Sequence, residues 1–223
     1  MTDSLVSAPQ PSYRLVPSRF PPIGLFDTVA TAADAAAVME LAGWTNDRLV
    51  AERIDRLPRD EWVYGRPNAS IVMASFLHVA PGGMRFNGPD LGAWYASAAI
   101  VTAAAEVGHH LRREAVARSV KAMRRTYRTY TATMTGDYLD IRGQQVGYPD
   151  AYASDSYDGG QLLGEKVRAS AVPGIRYDSL RHGGGCNVAG YRPSRITEVV
   201  QADHFEIRIE TASRTIDVRR LSI

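Results

Sequence analysis

A chain of 223 residues that is 45% hydrophobic can bury one substantial core, and its length suits a single generous domain better than two. Its 26 basic and 24 acidic residues leave a formal charge of +2, a near balance that argues against broad electrostatic attraction to nucleic acid or lipid. Cys186 is the one cysteine, which excludes an intrachain disulfide.

The opening "MTDSLVSAPQPSYR" reads as a polar tail without the basic and apolar regions of a secretory signal, so a cytoplasmic location is expected. "YRLV" predicts a short strand, and "PSRFPPIGLFD" a proline-stiffened loop. Residues from about Thr31 to Ala42 predict a helix ended by Gly43, and Thr45 a cap for a second helix through Leu57, stopped by Pro58. This pair makes a helical insertion at about 28–64. "ASIVMASFLHV" is rich in β-formers and reads as a strand, and "PGGMRFNGP" is a loop whose glycines let backbone approach a ligand. "AWYAS" predicts a brief strand leading into a helix from about Ala99 to Arg118.

The second half changes period. "RRTYRTYTATMT" and "DYLDIR" alternate as strands do, and "GGQLLGEKVRAS" is a short helix. "GIRYDSLR", "CNVAGYRP", "ITEVV", "HFEIRIET" and "TIDVRRL" make a strand-rich finish. Helices early and strands late predict an α+β fold with a mixed or largely antiparallel sheet, not a doubly wound one. The longest greasy run, Ala93 to Val107, is broken by polar residues and is shorter than the ~20 apolar residues of a membrane helix.

Several motifs have plain explanations. Glu106, His109 and His110 share a helix face, as metal ligands often do, yet the pattern matches no zinc motif and no Cys/His cluster completes it, so no metal is expected. "HHLRREAVARSVKAMRR" reads as a solvated helix face continuing into a strand, and no direct nucleic-acid binding is expected. "RHGGGCNVAG" lacks the spacing of a dinucleotide fingerprint, and Cys186 has no activating neighbour in sequence. Trp44 and Trp62 are read as core in preference to interface, and a homodimer is compatible with the chain.

The sharper signal lies in "GGMRFNGPDLGAWYASAAIVTAAAEVGHH". Small residues leave room for a ligand, and Arg85, Tyr95 and Glu106 furnish that room with a cation, a phenol and a carboxylate. Taken singly, Arg85 reads as a loop brace, Tyr95 as a core aromatic and Glu106 as an exposed helix position.

Together with Ser179 in "GIRYDSLRHGGGCNVAGYRP" and the opening "YRLV", they give a pattern that resembles, over nearly the whole chain, the RES-domain proteins. These are named for arginine, glutamate and serine and are the toxin halves of RES-Xre toxin-antitoxin pairs. The helical insertion departs from the shorter members and resembles larger ones that carry "RFPPIGLFD". The resemblance implies an ADP-ribosyltransferase-like fold and an enzyme that takes NAD as its substrate and breaks the bond between nicotinamide and ribose. ADP-ribose would pass to water or phosphate, or alternatively to a protein side chain.

The resemblance also implies roles. Glu106 would stabilise the cationic ribose, and Arg85 would bind the diphosphate. Tyr95 would offer a ring face or a hydroxyl to the nicotinamide ribose, and Ser179 would orient the ribose or the glutamate. Arg14 is the best second cofactor-binding arginine, ahead of Arg19, while Asn87 and Asn187 are further candidates without a role. An Xre-like antitoxin is the implied partner. A noncatalytic binding module is the alternative from another class.

Overall fold

The computed structural model describes residues 4–18, 24–45 and 51–222. Among the described residues, nine strands form one sheet: β1 (Leu5–Ser7), β2 (Ser12–Pro17), β3 (Trp94–Ser97), β4 (Ala122–Met134), β5 (Asp137–Asp140), β6 (Gly174–Asp178), β7 (Cys186–Gly190), β8 (Ile196–Glu210) and β9 (Ile216–Leu221). Their spatial order is β1-β5-β6-β7-β3-β2-β4-β8-β9. Only β5 and β6 run parallel; the other neighbours are antiparallel. Among the described residues, five α-helices accompany them: α1 (Ala32–Thr45), α2 (Ala51–Arg56), α3 (Ala69–Leu77), α4 (Ile100–Ala117) and α5 (Asp158–Arg168). The architecture is α+β with a large, mostly antiparallel sheet, as the order of helical and alternating segments predicts. Among the described residues, no helix is long and apolar enough to cross a membrane.

Four expectations need correction. "ASIVMASFLHV" is α3, not a strand. Its run is apolar on every side and has no period of its own, and Val72, Met73, Phe76 and Leu77 are all buried. The helix is decided at its N-terminus, where Asp27 Oδ1 accepts Ser70 N–H and Oγ–H and Asp27 Oδ2 accepts Asn68 N–H, so that one carboxylate meets the orphan donors of the first turn. This also explains the aspartate of "RFPPIGLFD". In the supposed polar tail, Leu5–Ser7 pairs with β5 as an edge strand. "ITEVV" and "HFEIRIET" are one 15-residue strand, β8, which pairs with β4 across two register shifts. Finally, α1 runs through Gly43 to Thr45, because glycine inside a helix costs only about 1 kcal/mol and ends one only with a left-handed cap; the side chain of Thr45 and the residues it would cap lie outside the described residues. The side chain of Trp44 lies outside the described residues, and Trp62 is half-buried against the main core with its Nε1–H donated to Leu57 O at 3.0 Å.

Two small-residue stripes place the elements that bear polar groups. On α4, Ala104, Gly108, Leu111 and Ala115 form one stripe, and Gly108 lies so close to Ile216 of β9 that a Cβ would come within 2.7 Å of its Cδ1. This seats α4 on β4, β8 and β9 and turns the face bearing Ala103, Glu106, Val107 and His110 the other way. On α5, Gly160 and Gly164 touch the carbonyls of Arg85 and Phe86, with no room for a methyl group. Gly164→Ala is expected to cost about 1–3 kcal/mol of stability through overpacking, a fall in melting temperature of several degrees, read by thermal denaturation.

Candidate active site

The segment Gly82–Gly88 folds as a tight turn, with Met84 N–H donated to Asn87 O at 2.9 Å. Arg85 and Phe86 occupy its tip. Two tyrosine hydroxyls clamp the Phe86 peptide: Tyr95 Oη accepts Phe86 N–H at 2.9 Å, and Tyr191 Oη donates to Phe86 O at 2.8 Å. Tyr95 Oη also donates to Asn87 Oδ1 at 2.8 Å. Burial pushes the Tyr95 phenol well above its ordinary range, so it remains a neutral donor. Its hydroxyl is thus engaged in bracing the Arg85 turn, and its ring is what remains for a ligand.

Arg85 Nη1 donates to Ala151 O and Ala153 O at 3.0 and 2.8 Å, and the guanidinium lies 5.0 Å from the Tyr157 ring centroid. One nitrogen serves both carbonyls, which leaves the other edge of the planar fork unspent. On β2, Arg14 Nη1 donates to Tyr95 O at 2.9 Å and the group lies 4.9 Å from the Trp94 ring. Arg14 Nε is buried without a hydrogen-bond partner. Burial pulls the guanidinium down to about 10, partly opposed by Tyr95, and no carboxylate figures among the charges acting on it. A half-buried guanidinium, charged at neutral pH, with its Nε unsatisfied and no acidic partner, is suited to receive an anion. Arg19 lies outside the described residues.

Glu106 projects from α4. Its Oε1 accepts Ser179 Oγ–H and Asn187 Nδ2–H, each at 2.7 Å. Ser179 follows directly after β6 and in turn accepts Arg181 N–H and His182 N–H at 3.1 and 3.0 Å, which fixes the start of the glycine-rich loop. Both side-chain bonds to the carboxylate fall on Oε1, leaving Oε2 for a ligand.

These groups meet. A cavity of about 370 Å³ is lined by Arg14, Arg85, Tyr95, Glu106, Asn187 and Arg181 among others, with Tyr157 and Tyr177 adding aromatic wall. Its charged residues are three arginines and one carboxylate, so it suits an anionic ligand with a single negative group held against it. Ser179 stands behind Glu106, bonded to it rather than on the wall. Arg181 and a role for Asn187 are absent from the residues that the sequence singles out. Asn187 joins the site through β7, and only strand pairing brings it to Glu106. Arg181 lay in the "S-L-R" that follows β6, where its spacing from Ser179 was the one available signal.

Two imidazoles of α4, His109 and His110, also line this cavity. Burial, reinforced by Arg181, His110, Arg113 and Arg112, holds His109 down at about 4, and burial lowers His110 as well, partly opposed by Glu106. Both are neutral at neutral pH. Because the unfolded chain protonates His109 near 6.5 and the folded chain resists until about 4, the stability this histidine contributes is present above pH 6.5 and is lost as pH falls through that window. Melting temperature is expected to decline between pH 6.5 and 4, and His109→Gln to flatten that decline. Among the described residues, no group of three or more metal-ligating side chains gathers.

Fold and cavity together define an α+β protein with a carboxylate and several guanidinium groups converging on one cleft. The sequence pattern of the RES domain family matches residues 53–210, and the chain belongs to that family. No curated protein matches the sequence. Among solved structures, a chain in the crystal structure of the M. tuberculosis MbcT-MbcA toxin-antitoxin complex is similar at 18% identity and a TM-score of 0.42, over 55% of this chain and 73% of that one.

Proposed function

We propose that the chain is a single RES domain, its helical insertion at about 28–64 included, that acts as the toxin of a toxin-antitoxin pair. It consumes NAD by cleaving the nicotinamide–ribose bond and passes ADP-ribose to water or phosphate. Membership of the RES family supports the toxin role, the ADP-ribosyltransferase-like reading of the fold, a cytoplasmic setting and an Xre-like antitoxin that blocks the cleft. One observation carries the chemistry: a carboxylate, Glu106, pinned at one oxygen by Ser179 and Asn187 in a cleft whose other charges are arginines.

The residues fit that substrate. Arg14, half-buried with its Nε unsatisfied and without an acidic partner, and Arg85, with half of its fork unspent, supply planar donors for the diphosphate oxygens. The ring of Tyr95 gives a flat face for the nicotinamide or its ribose. Nicotinamide departs as a neutral molecule while C1′ of the ribose gathers positive charge, and the ionised Glu106 stabilises the resulting oxocarbenium-like transition state. Ser179 and Asn187 hold the carboxylate so that it need not reorganise as that charge appears. Water or phosphate then attacks C1′.

Incubating the purified chain with NAD, with and without inorganic phosphate and candidate acceptor proteins, tests this reading. Free nicotinamide with ADP-ribose or its phosphorylated form, and no labelled protein, is the expected result. Label on an acceptor protein would indicate a mono-ADP-ribosyltransferase instead. NAD left intact would favour a noncatalytic binding module.

A further inference from the structure

β3 and β7 are antiparallel neighbours, and their register sets Ser97 directly opposite Asn187. Ser97 Oγ–H donates to Asn187 Oδ1 at 2.7 Å, and Asn187 Nδ2–H donates to Glu106 Oε1 at 2.7 Å. The result is a continuous chain from a strand hydroxyl, through an amide, to a carboxylate. Ser97 is 4% and Asn187 2% exposed, so water has little access to replace a lost partner at either.

The two ends of an asparagine amide are nearly the same size, so packing alone does not choose between them. An ionised carboxylate only accepts, which requires Nδ2 to face Glu106 and turns Oδ1 toward Ser97, and the serine must then donate. Were the hydroxyl absent, Oδ1 would be buried without a partner, and the amide would gain by turning away from Glu106 to find one. Donation to Oδ1 also polarises the amide and strengthens its N–H as a donor, a cooperative effect along the chain.

We propose that Ser97 is a positioning residue for Glu106, acting through the side-chain amide of Asn187. The proposal rests on the reading of Glu106 as the catalytic carboxylate. It adds a residue on the wall of the same cavity whose hydroxyl is committed to Asn187 and fixes the direction in which the carboxylate is held. Ser97 lies two residues after Tyr95 on the same strand, so β3 supplies both the brace of the Arg85 turn and the anchor of Glu106.

Ser97→Ala is expected to lower kcat for nicotinamide release about fivefold, the rate equivalent of one net hydrogen bond, with KM for NAD within twofold of wild type. Ser97→Thr, which keeps the hydroxyl, restores kcat. In an Asn187→Ala background, Ser97→Ala adds no further loss, because the link it acts through is already gone. The side-chain amide resonances of Asn187, read by ¹⁵N NMR without NAD, shift and exchange faster in Ser97→Ala and not in Ser97→Thr. Full kcat in Ser97→Ala, or an equal loss in the presence and absence of Asn187, would overturn the proposal. Should the wild type fail to cleave NAD, the reading of Glu106 fails; unaltered Asn187 amide resonances in Ser97→Ala would then overturn the positioning role by themselves.

Discussion

Glu106→Gln is expected to lower kcat for NAD cleavage by a factor of about 100 or more, equivalent to ~3 kcal/mol of lost transition-state stabilisation, in a protein that remains folded. The substitution isolates charge. Glutamine keeps an acceptor oxygen that can receive both Ser179 Oγ–H and Asn187 Nδ2–H, so the side chain has the same anchors and the same length. What it loses is the negative charge at the free end of the group, where positive charge would develop on the ribose. Because the proposed diphosphate contacts would lie with Arg14 and Arg85, KM should change much less than kcat, the pattern of an interaction made in the transition state alone. Steady-state rates beside a circular dichroism spectrum of each protein check the expectation, and a variant as active as wild type would remove Glu106 from the chemistry.

Arg85→Lys is the second large effect, and it should appear mainly in KM, as a rise of about tenfold or more. The guanidinium has two tasks. Its Nη1 ties the carbonyls of Ala151 and Ala153 to the turn at Met84–Asn87, while its other edge is free for phosphate oxygens. A lysine carries the same charge on a compact ammonium, which cannot hold two carbonyls and a diphosphate in the directions that a planar fork spans. It also loses the stacked contact on Tyr157. The companion measurement is thermal stability: a small fall with a large rise in KM would locate the loss in substrate binding, whereas a large fall with KM unchanged would make Arg85 a brace of the 151–157 segment alone.

How much of this could be read from the sequence depends on whether each signal was local. The alternation in "RRTYRTYTATMT" and "TIDVRRL" marks β4 and β9 because one face of each segment differs from the other, and α4 is legible from its length and composition. α3 was not, since an all-round apolar segment carries no period and its cap, Asp27, stands 42 residues before its first helical residue, Ala69. The three-residue β1 has no pattern of its own and exists because β5 offers it an edge. At the site, Arg85, Tyr95 and Glu106 stand out as polar side chains in small or apolar surroundings and Arg14 only through the family resemblance, and all four line one cavity. The commitment of the Tyr95 hydroxyl to the turn was not legible, nor was the relay from Ser97 to Asn187 to Glu106. Both depend on hydrogen bonds that the tertiary fold creates, the second across 90 residues of sequence.

In the proposed reaction, C1′ of the nicotinamide ribose becomes cationic beside a fixed carboxylate. Its most direct test is nicotinamide release under single-turnover conditions from NAD bearing hydrogen or deuterium at that carbon. Rehybridisation toward a planar cation predicts slower release from the deuterated substrate, a rate ratio above one. No nicotinamide release by the folded protein, or a ratio of one when bond cleavage limits the rate, would contradict it.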